Sequence, residues 1–256
     1  NPDGNLKWSY TASTLSFSPT IGSDGTIYFT GGKRLYALTD KGTSADLKWF
    51  NESDSSSSNF GGVAVADDGK IYFENNMHIY AFASDGTFLW RYREPTCFVS
   101  LKYTPTVGND GTVYFNYVDH MDAMTDSGSM KWQFYGESSP ILPESFSLGS
   151  DGTVYFNQRM KVYALSDDGS GYTQKWSYTA GSYIRSPPAI GSDGSLYFGS
   201  DDFKVYSISP GGLLKWTYST GNKVRSGMAI GSDGTLYAGS TDGKLYVFRD
   251  PVTPPV

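Results

Sequence analysis

The string IGSDGTIYF, residues 21–29, returns as VADDGKIYF, VGNDGTVYF, LGSDGTVYF, IGSDGSLYF and IGSDGTLYA. Its central aspartates, Asp24, Asp68, Asp110, Asp151, Asp193 and Asp233, lie 44, 42, 41, 42 and 40 residues apart. All six tryptophans keep the same beat: Trp8, Trp49, Trp90, Trp132, Trp176 and Trp216 are spaced 41, 41, 42, 44 and 40. A period of this length means a solenoid, a propeller or an array, in which each unit buries its apolar face only against a neighbour.

Each repeat reads as four short strands. Strand A ends in an apolar pair before the Asp-Gly loop, strand B is TIYF-like, strand C is RLYAL or KVYAL, and strand D is LKWSY. Alternating apolar and polar residues, β-branched and aromatic enrichment, and Gly/Asp/Ser punctuation predict strands, and no stretch sustains a helical period. Four-stranded units repeated radially make a propeller. The ends bear on closure. NPDGNLKWSY supplies a strand D without A, B or C, and the last repeat supplies A, B and C without LKW. Pairing them removes the open edges. The expectation is therefore an all-β, closed six-bladed β-propeller over residues 1–250, its last blade completed by the N-terminal strand. Residues 251–256, PVTPPV, read as a Pro-rich linker to a further domain.

Composition narrows the function. The net charge is −6 and the Lys and Arg residues are scattered singly, which argues against a nucleic-acid partner or an anionic membrane surface. There is no apolar run long enough for a membrane-spanning helix. The single Cys97 excludes an internal disulfide and a multi-cysteine metal knuckle.

The segment SPPAIGSDGSLYFGSDDFKVYSISPGGLLKWTY, residues 186–218, resembles the PQQ-like β-propeller repeat, with its S-P-x-I-G-S-D-G-x-x-Y, L-Y-A-L and K-W-x-Y strands. The resemblance runs to Asp250 and implies the propeller fold. It leaves activity open, because that family includes quinoprotein dehydrogenases, outer-membrane assembly lipoproteins and sensor-kinase ectodomains. Quinoprotein dehydrogenases carry eight blades, a calcium and a disulfide of neighbouring cysteines. Six repeats and one cysteine depart from that pattern, so no cofactor and no metal are expected.

Laying the repeats over one another sorts turn chemistry from candidate sites. The Asp-Gly loop needs a glycine at positive φ, and its aspartate can bond its own backbone. One carboxylate per loop, or the adjacent Asp67 and Asp68, falls short of a calcium ligand set. The tryptophans recur in one strand and read as packing. His78 and His120 replace the basic residue that is Arg34, Lys161, Lys204 and Lys244 in the other blades. Two histidines without a third ligand make no metal signature, and no nucleophile elbow is present.

Asymmetry is concentrated elsewhere. The B–C loops of blades two to four read ENNM, NYVD and NQRM, and offer Glu74, Asn75, Asn76, Asn116, Tyr117, Asp119, Asn157, Gln158 and Arg159. The connections NESDSSSSN, REPTCFVSLKY and YGESSPILPES between blades bring Phe60, Phe98, Tyr103 and Tyr135 toward the same rim. Arg185 and Arg225 hold matching positions at the start of strand A. The expected ligand-binding set is Glu74, Asn75, His78, Tyr103, Asn116, Tyr117, Asp119, His120, Gln158, Arg159, Arg185 and Arg225, with no catalytic residue. The sequence thus predicts a monomeric, non-enzymatic binding module of a secreted or cell-surface protein, recognising a glycan or a protein, without membrane insertion. The alternatives are a polysaccharide hydrolase or lyase using carboxylates such as Glu74, Asp119 or Glu144, and a protein-assembly scaffold.

Overall fold

The computed structural model describes residues 4–15, 17–52, 60–75, 78–93, 104–117, 120–136 and 146–249. Strand follows strand without a helix among them. Blade 1 is β1 (Thr20–Ile21), β2 (Ile27–Gly31), β3 (Arg34–Asp40) and β4 (Ala45–Glu52). Blade 2 is β5 (Phe60–Val65), β6 (Ile71–Asn75), β7 (His78–Phe82) and β8 (Phe88–Arg93). Blade 3 is β9 (Thr106–Val107), β10 (Val113–Asn116), β11 (His120–Met124) and β12 (Met130–Tyr135). Blade 4 is β13 (Ser147–Leu148), β14 (Val154–Gln158), β15 (Lys161–Asp167) and β16 (Tyr172–Thr179). Blade 5 is β17 (Ala189–Ile190), β18 (Leu196–Gly199), β19 (Lys204–Ile208) and β20 (Leu214–Ser219). Blade 6 has three strands, β21 (Ala229–Ile230), β22 (Thr235–Gly239) and β23 (Leu245–Arg249). Each blade is a separate antiparallel meander of consecutive strands. The chain divides into two compact units, Asn1–Gln133 and Phe134–Val256, with the boundary inside β12.

The Asp-Gly loop is the turn that starts each blade. In blade 1, Gly25 at φ 78 donates its N–H to the Gly22 carbonyl at 2.9 Å. Asp24 accepts from the Thr26 N–H at 2.9 Å and the Thr26 hydroxyl at 2.7 Å. Asp110, Asp151, Asp193 and Asp233 repeat both bonds. A bulge in strand D of blades 1, 4 and 5 then completes the neutralisation. In blade 1 the β3–β4 ladder pairs Ala37 with Trp49 but Leu38 with Leu47, leaving Lys48 as the extra residue. A bulge re-aims the side chain it inserts, and Lys48 reaches back to Asp24 at 3.2 Å. Lys175 and Lys215 occupy the same bulge and reach Asp151 at 2.9 Å and Asp193 at 3.2 Å. In blade 2 the bulged residue is Leu89, and Lys70 from the turn itself pairs with Asp68 at 2.7 Å. These carboxylates are spent on the turn.

The apolar cores lie between successive blades. In the first unit Tyr28, Leu35 and Ala37 of blade 1 pack on Val63, Ile71, Phe73, Tyr80 and Phe82 of blade 2, and Tyr72, Ile79 and Ala81 pack on Val113, Phe115 and Met124 of blade 3. The second unit repeats this, with Tyr155, Val162 and Ala164 against Leu196, Phe198 and Tyr206, and then Tyr197 and Val205 against Leu236 and Ala238. Tryptophans bridge such junctions within each unit. Trp49 sits on Tyr28 of its own blade at 5.9 Å and donates its indole N–H to the Ser84 carbonyl of the next at 3.0 Å. Trp90 and Trp176 do the same toward the Asp126 and Pro210 carbonyls, both at 2.8 Å.

Among the described residues, 5–10 form no ladder, and blade 6 is a three-stranded sheet in the order β21-β22-β23. Instead Trp8 donates to Asp40 at 2.9 Å, Lys7 pairs with Asp40 at 2.6 Å, and Tyr10 packs edge-on against Phe29 and Tyr36. Trp8 thus addresses blade 1 as Trp49 addresses blade 2. Residues 251–256 lie outside the described residues.

Candidate functional site

In the first unit the B–C ends of blades 2 and 3 carry the polar residues singled out by the sequence. Glu74 and Asn75 end β6, where Asn75 pairs across the hairpin with His78. Both are buried, at 4% and 0% exposure, and the His78 ring lies 5.9 Å from Tyr80. In blade 3, Asn116, Tyr117 and His120 are buried as well. The Tyr117 N–H donates to the His120 carbonyl at 2.8 Å, which closes the turn and stacks the two rings at 4.9 Å. His120 Nε2 lies 3.3 Å from Asp122 Oδ1, and that same oxygen accepts from Gln133 Nε2 at 3.0 Å. Both members of the His120–Asp122 pair have no solvent-exposed side-chain surface. A carboxylate-braced imidazole is chemically able to accept a proton, but here it is sealed from any solute and fixes the hairpin. Asp122 and Gln133 are absent from the sequence-derived set. The signal was available: the equivalent strand C residue is Tyr36, Tyr80, Tyr163, Tyr206 and Tyr246 in the other five blades.

The second unit presents its counterpart to solvent. Asn157 and Gln158 end β14 and are buried, Asn157 donating to the Ile184 carbonyl at 2.8 Å. Arg159 follows on the turn, exposed, at φ 53, with its carbonyl accepting from the Ile184 N–H at 2.7 Å. That bond sets Arg159 beside the segment carrying Tyr183 and Arg185. Arg185 lies over the Tyr183 ring at 5.3 Å. Arg185 and Arg225 converge on one carboxylate: Arg225 donates to Asp201 at 2.7 and 3.0 Å, and Arg185 at 3.2 Å. The Asp201 side chain is 8% exposed while the two arginines are 47% and 42% exposed. The Arg225 guanidinium, with Arg185 behind it, holds the Asp201 carboxyl below the usual range. Phe203, on the next turn, is 42% exposed at φ 71.

Of the predicted set, then, Glu74, Asn75, His78, Asn116, Tyr117 and His120 gather on the first unit, and Gln158, Arg159, Arg185 and Arg225 on the second. Tyr103 and Asp119, with Asn76, Phe98 and Glu144, lie outside the described residues. Among the described residues no group of three or more His, Cys, Asp and Glu side chains is placed to hold a metal ion.

Six antiparallel meanders, each turned by an Asp-Gly loop and carrying the tryptophan repeat, define a PQQ-like β-propeller protein. The model of the family described as outer membrane protein assembly factor BamB matches residues 49–186, and the chain belongs to that family. No curated protein matches the sequence. Among solved structures, BamB from Moraxella catarrhalis is similar with a TM-score of 0.69 at 16% identity, over 95% of this chain and 75% of that one. A catalytically inactive virginiamycin B lyase from Staphylococcus aureus with quinupristin has a TM-score of 0.67 at 15% identity, over 91% and 84%. A streptogramin B lyase reaches 0.66 at 18% identity, over 92% and 83%. At these identities the likeness is one of fold.

Proposed function

We propose that this propeller is a non-enzymatic protein-binding module, and that the exposed rim of the second unit, Arg159, Tyr183, Arg185, Phe203 and Arg225, is its recognition surface. One observation carries the reading. Arg159 and Phe203 are the two non-glycine residues at positive φ among the described residues, and both project from this rim. Such backbone costs about 1–3 kcal/mol per residue and persists where the surroundings impose it, commonly at binding sites. Arginine and aromatic side chains are the residue types that dominate binding energy at protein interfaces. Asp201 braces two of the arginines, which lowers the entropy lost when a partner orders them. An acidic, aromatic-bearing segment of a partner protein is the complementary chemistry. The family's description as an assembly factor of the outer membrane supports a protein partner and a place outside the cytoplasm.

The test is label transfer from a photo-crosslinker placed at Asn222, a residue beside this rim, followed by affinity measurement with the captured partner. Tyr183→Ala combined with Arg159→Glu should weaken that affinity at least tenfold with an unchanged melting temperature. Unchanged affinity refutes the surface. Specific binding on a glycan array that is lost in the same double variant makes the ligand a sugar and overturns the proposal of a protein partner.

A further inference from the structure

The first unit holds a further cluster of polar side chains, where the N-terminal segment crosses the β2–β3 turn of blade 1. The Gly32 N–H donates to the Thr14 carbonyl at 3.0 Å, and Leu15 bridges to Gly31. The later blades dock their incoming connections in the same way. There the Asp201 N–H donates to the Tyr183 carbonyl at 2.8 Å and the Thr241 N–H to the Lys223 carbonyl at 2.9 Å. A Cβ on Gly32 would collide with the Ser13 hydroxyl, so a glycine at φ 61 is what lets the two segments approach. Backbone bonds therefore fix both walls of this cleft.

The charge carried by the turn differs between blades. Blades 5 and 6 place Asp202 and Asp242 there. Asp242 accepts from the Tyr246 hydroxyl at 2.7 Å and the Gly221 N–H at 2.9 Å, and Asp202 accepts from the Tyr206 hydroxyl. In blade 1 Gly31 pairs with Arg34, which leaves a two-residue turn of Gly32 and Lys33 without a carboxylate. Beside it opens a cavity of about 490 Å³ whose walls include Thr11, Ser13, Lys33, Arg34, Tyr36 and Glu52. That volume suits a small molecule. The polar lining is open to solvent: Thr11, Ser13 and Lys33 are exposed, and the Arg34 and Glu52 side chains are 41% and 54% exposed. Arg34 is already committed, donating to Glu52 at 3.1 Å and lying over the Phe50 ring at 4.4 Å. Lys33 is not. Among the described residues its ammonium has no ion pair, and the Thr11 and Ser13 hydroxyls have no hydrogen bond. Lys33 and Arg34 against Glu52 leave one positive charge at the cavity, in a chain whose net charge is −6.

We infer that this cavity is a binding site for a hydroxylated carboxylate, a sugar acid of the uronate kind. The ligand carboxylate pairs with Lys33 in a charge-assisted contact. Its hydroxyls exchange hydrogen bonds with Thr11 and Ser13 and donate to the Glu52 carboxylate, which can only accept. A neutral sugar would leave Lys33 unpaired, and a simple carboxylate would leave the hydroxyls and Glu52 unused, so both halves of the ligand contribute. Nothing in this argument depends on the arginine rim of the second unit.

The experiment is a ligand-observed NMR titration with D-glucuronate, D-glucose and acetate. Glucuronate should bind at one site, and glucose and acetate should each bind at least threefold more weakly. Lys33→Ala should weaken glucuronate binding about 2- to 5-fold, the range of one exposed ion pair. Lys33→Glu should weaken it further, because the new carboxylate repels the ligand. Both variants should keep the wild-type melting temperature, since the Lys33 side chain is exposed and unpaired. Tighter binding of a glucuronate-ended disaccharide would place the ligand in a polysaccharide, and weaker binding would make it the free acid; either supports the site. The proposal is overturned if glucuronate does not bind, if glucose or acetate binds equally well, or if Lys33→Glu binds glucuronate as wild type does.

Discussion

Two alanine substitutions in the same kind of turn separate backbone strain from blade packing. Gly25 ends the turn Gly22-Ser23-Asp24-Gly25, and Gly86 ends Ala83-Ser84-Asp85-Gly86. In each the glycine N–H donates at 2.9 Å to the first carbonyl, at φ 78 and 89 respectively. In each the following threonine N–H donates to the aspartate, at 2.9 and 2.8 Å. A Cβ on Gly25 would meet nothing within 4 Å, whereas one on Gly86 would stand 2.8 Å from the Trp49 ring. Trp49 cannot retreat without breaking its bond to the Ser84 carbonyl, at 3.0 Å in that same turn. Left-handed backbone should cost either alanine about 1–2 kcal/mol. Overpacking should add about 1–3 kcal/mol at Gly86 only. Urea denaturation of Gly25→Ala, Gly86→Ala and wild type in parallel reads the difference directly. Gly86→Ala should be the less stable by about 1–3 kcal/mol, which in a chain of this size is several degrees in melting temperature. Equal destabilisation by the two substitutions would refute the claim that tryptophan against turn glycine holds successive blades in register.

Acid should loosen the blades from their turns. The Thr26 hydroxyl holds the Asp24 carboxyl at about 2, and the Lys175 ammonium holds Asp151 at about 2, both below the ordinary 3.8. A folded-state value below the unfolded one stabilises above about pH 4, and that contribution is lost as pH falls toward 2. The urea midpoint should therefore be level from neutrality to about pH 5 and drop between pH 4 and 2; a midpoint flat to pH 2.5 contradicts the assignment. His78 and His120 occupy the same repeat position yet differ in what they support. His120→Ala should cost about 3 kcal/mol by emptying the place of a fully buried ring stacked on Tyr117, and His78→Ala well under half of that, measured by the same denaturation curves.

The blades were legible because their turn chemistry is local. Aspartate followed by glycine at positive φ, then threonine or serine, specifies the hairpin without reference to anything distant, and the tryptophan offset reports strand D in the same way. The bulge was not legible. Lys48, Lys175 and Lys215 look like ordinary solvent-facing lysines of strand D, and only the skipped register turns them onto the aspartates. Exposure was not legible either. Asn75, Asn116 and Gln158 lie at B–C turns as their sequence context says, but all three are almost fully buried. Polarity at a turn is a local property, whereas burial depends on which other segments cover it. The N-terminal segment carries the strand D pattern, and the Trp8 contact to Asp40 agrees with that place in the repeat.

Repetition makes departures informative in a way that composition does not. A surface position that drifts costs little, so an odd residue there carries little meaning. A position inside the junction between blades is different, because truncating a large buried side chain costs several kcal/mol. Asp122 breaks a column of tyrosines, and the structure answers by setting the His120 ring and the Gln133 amide against one oxygen of the buried carboxylate. That departure is compensated from within the fold. Asn51 breaks a column of rings, and its amide donates to the Gly86 carbonyl of the next blade at 2.7 Å. Phe73 and Tyr80 stay buried all the same, at 3% and 6% exposure, as Phe29 and Tyr36 are beneath Tyr10. Both departures are absorbed by the junction between blades, so an odd residue in the repeat does not by its oddity alone mark a site.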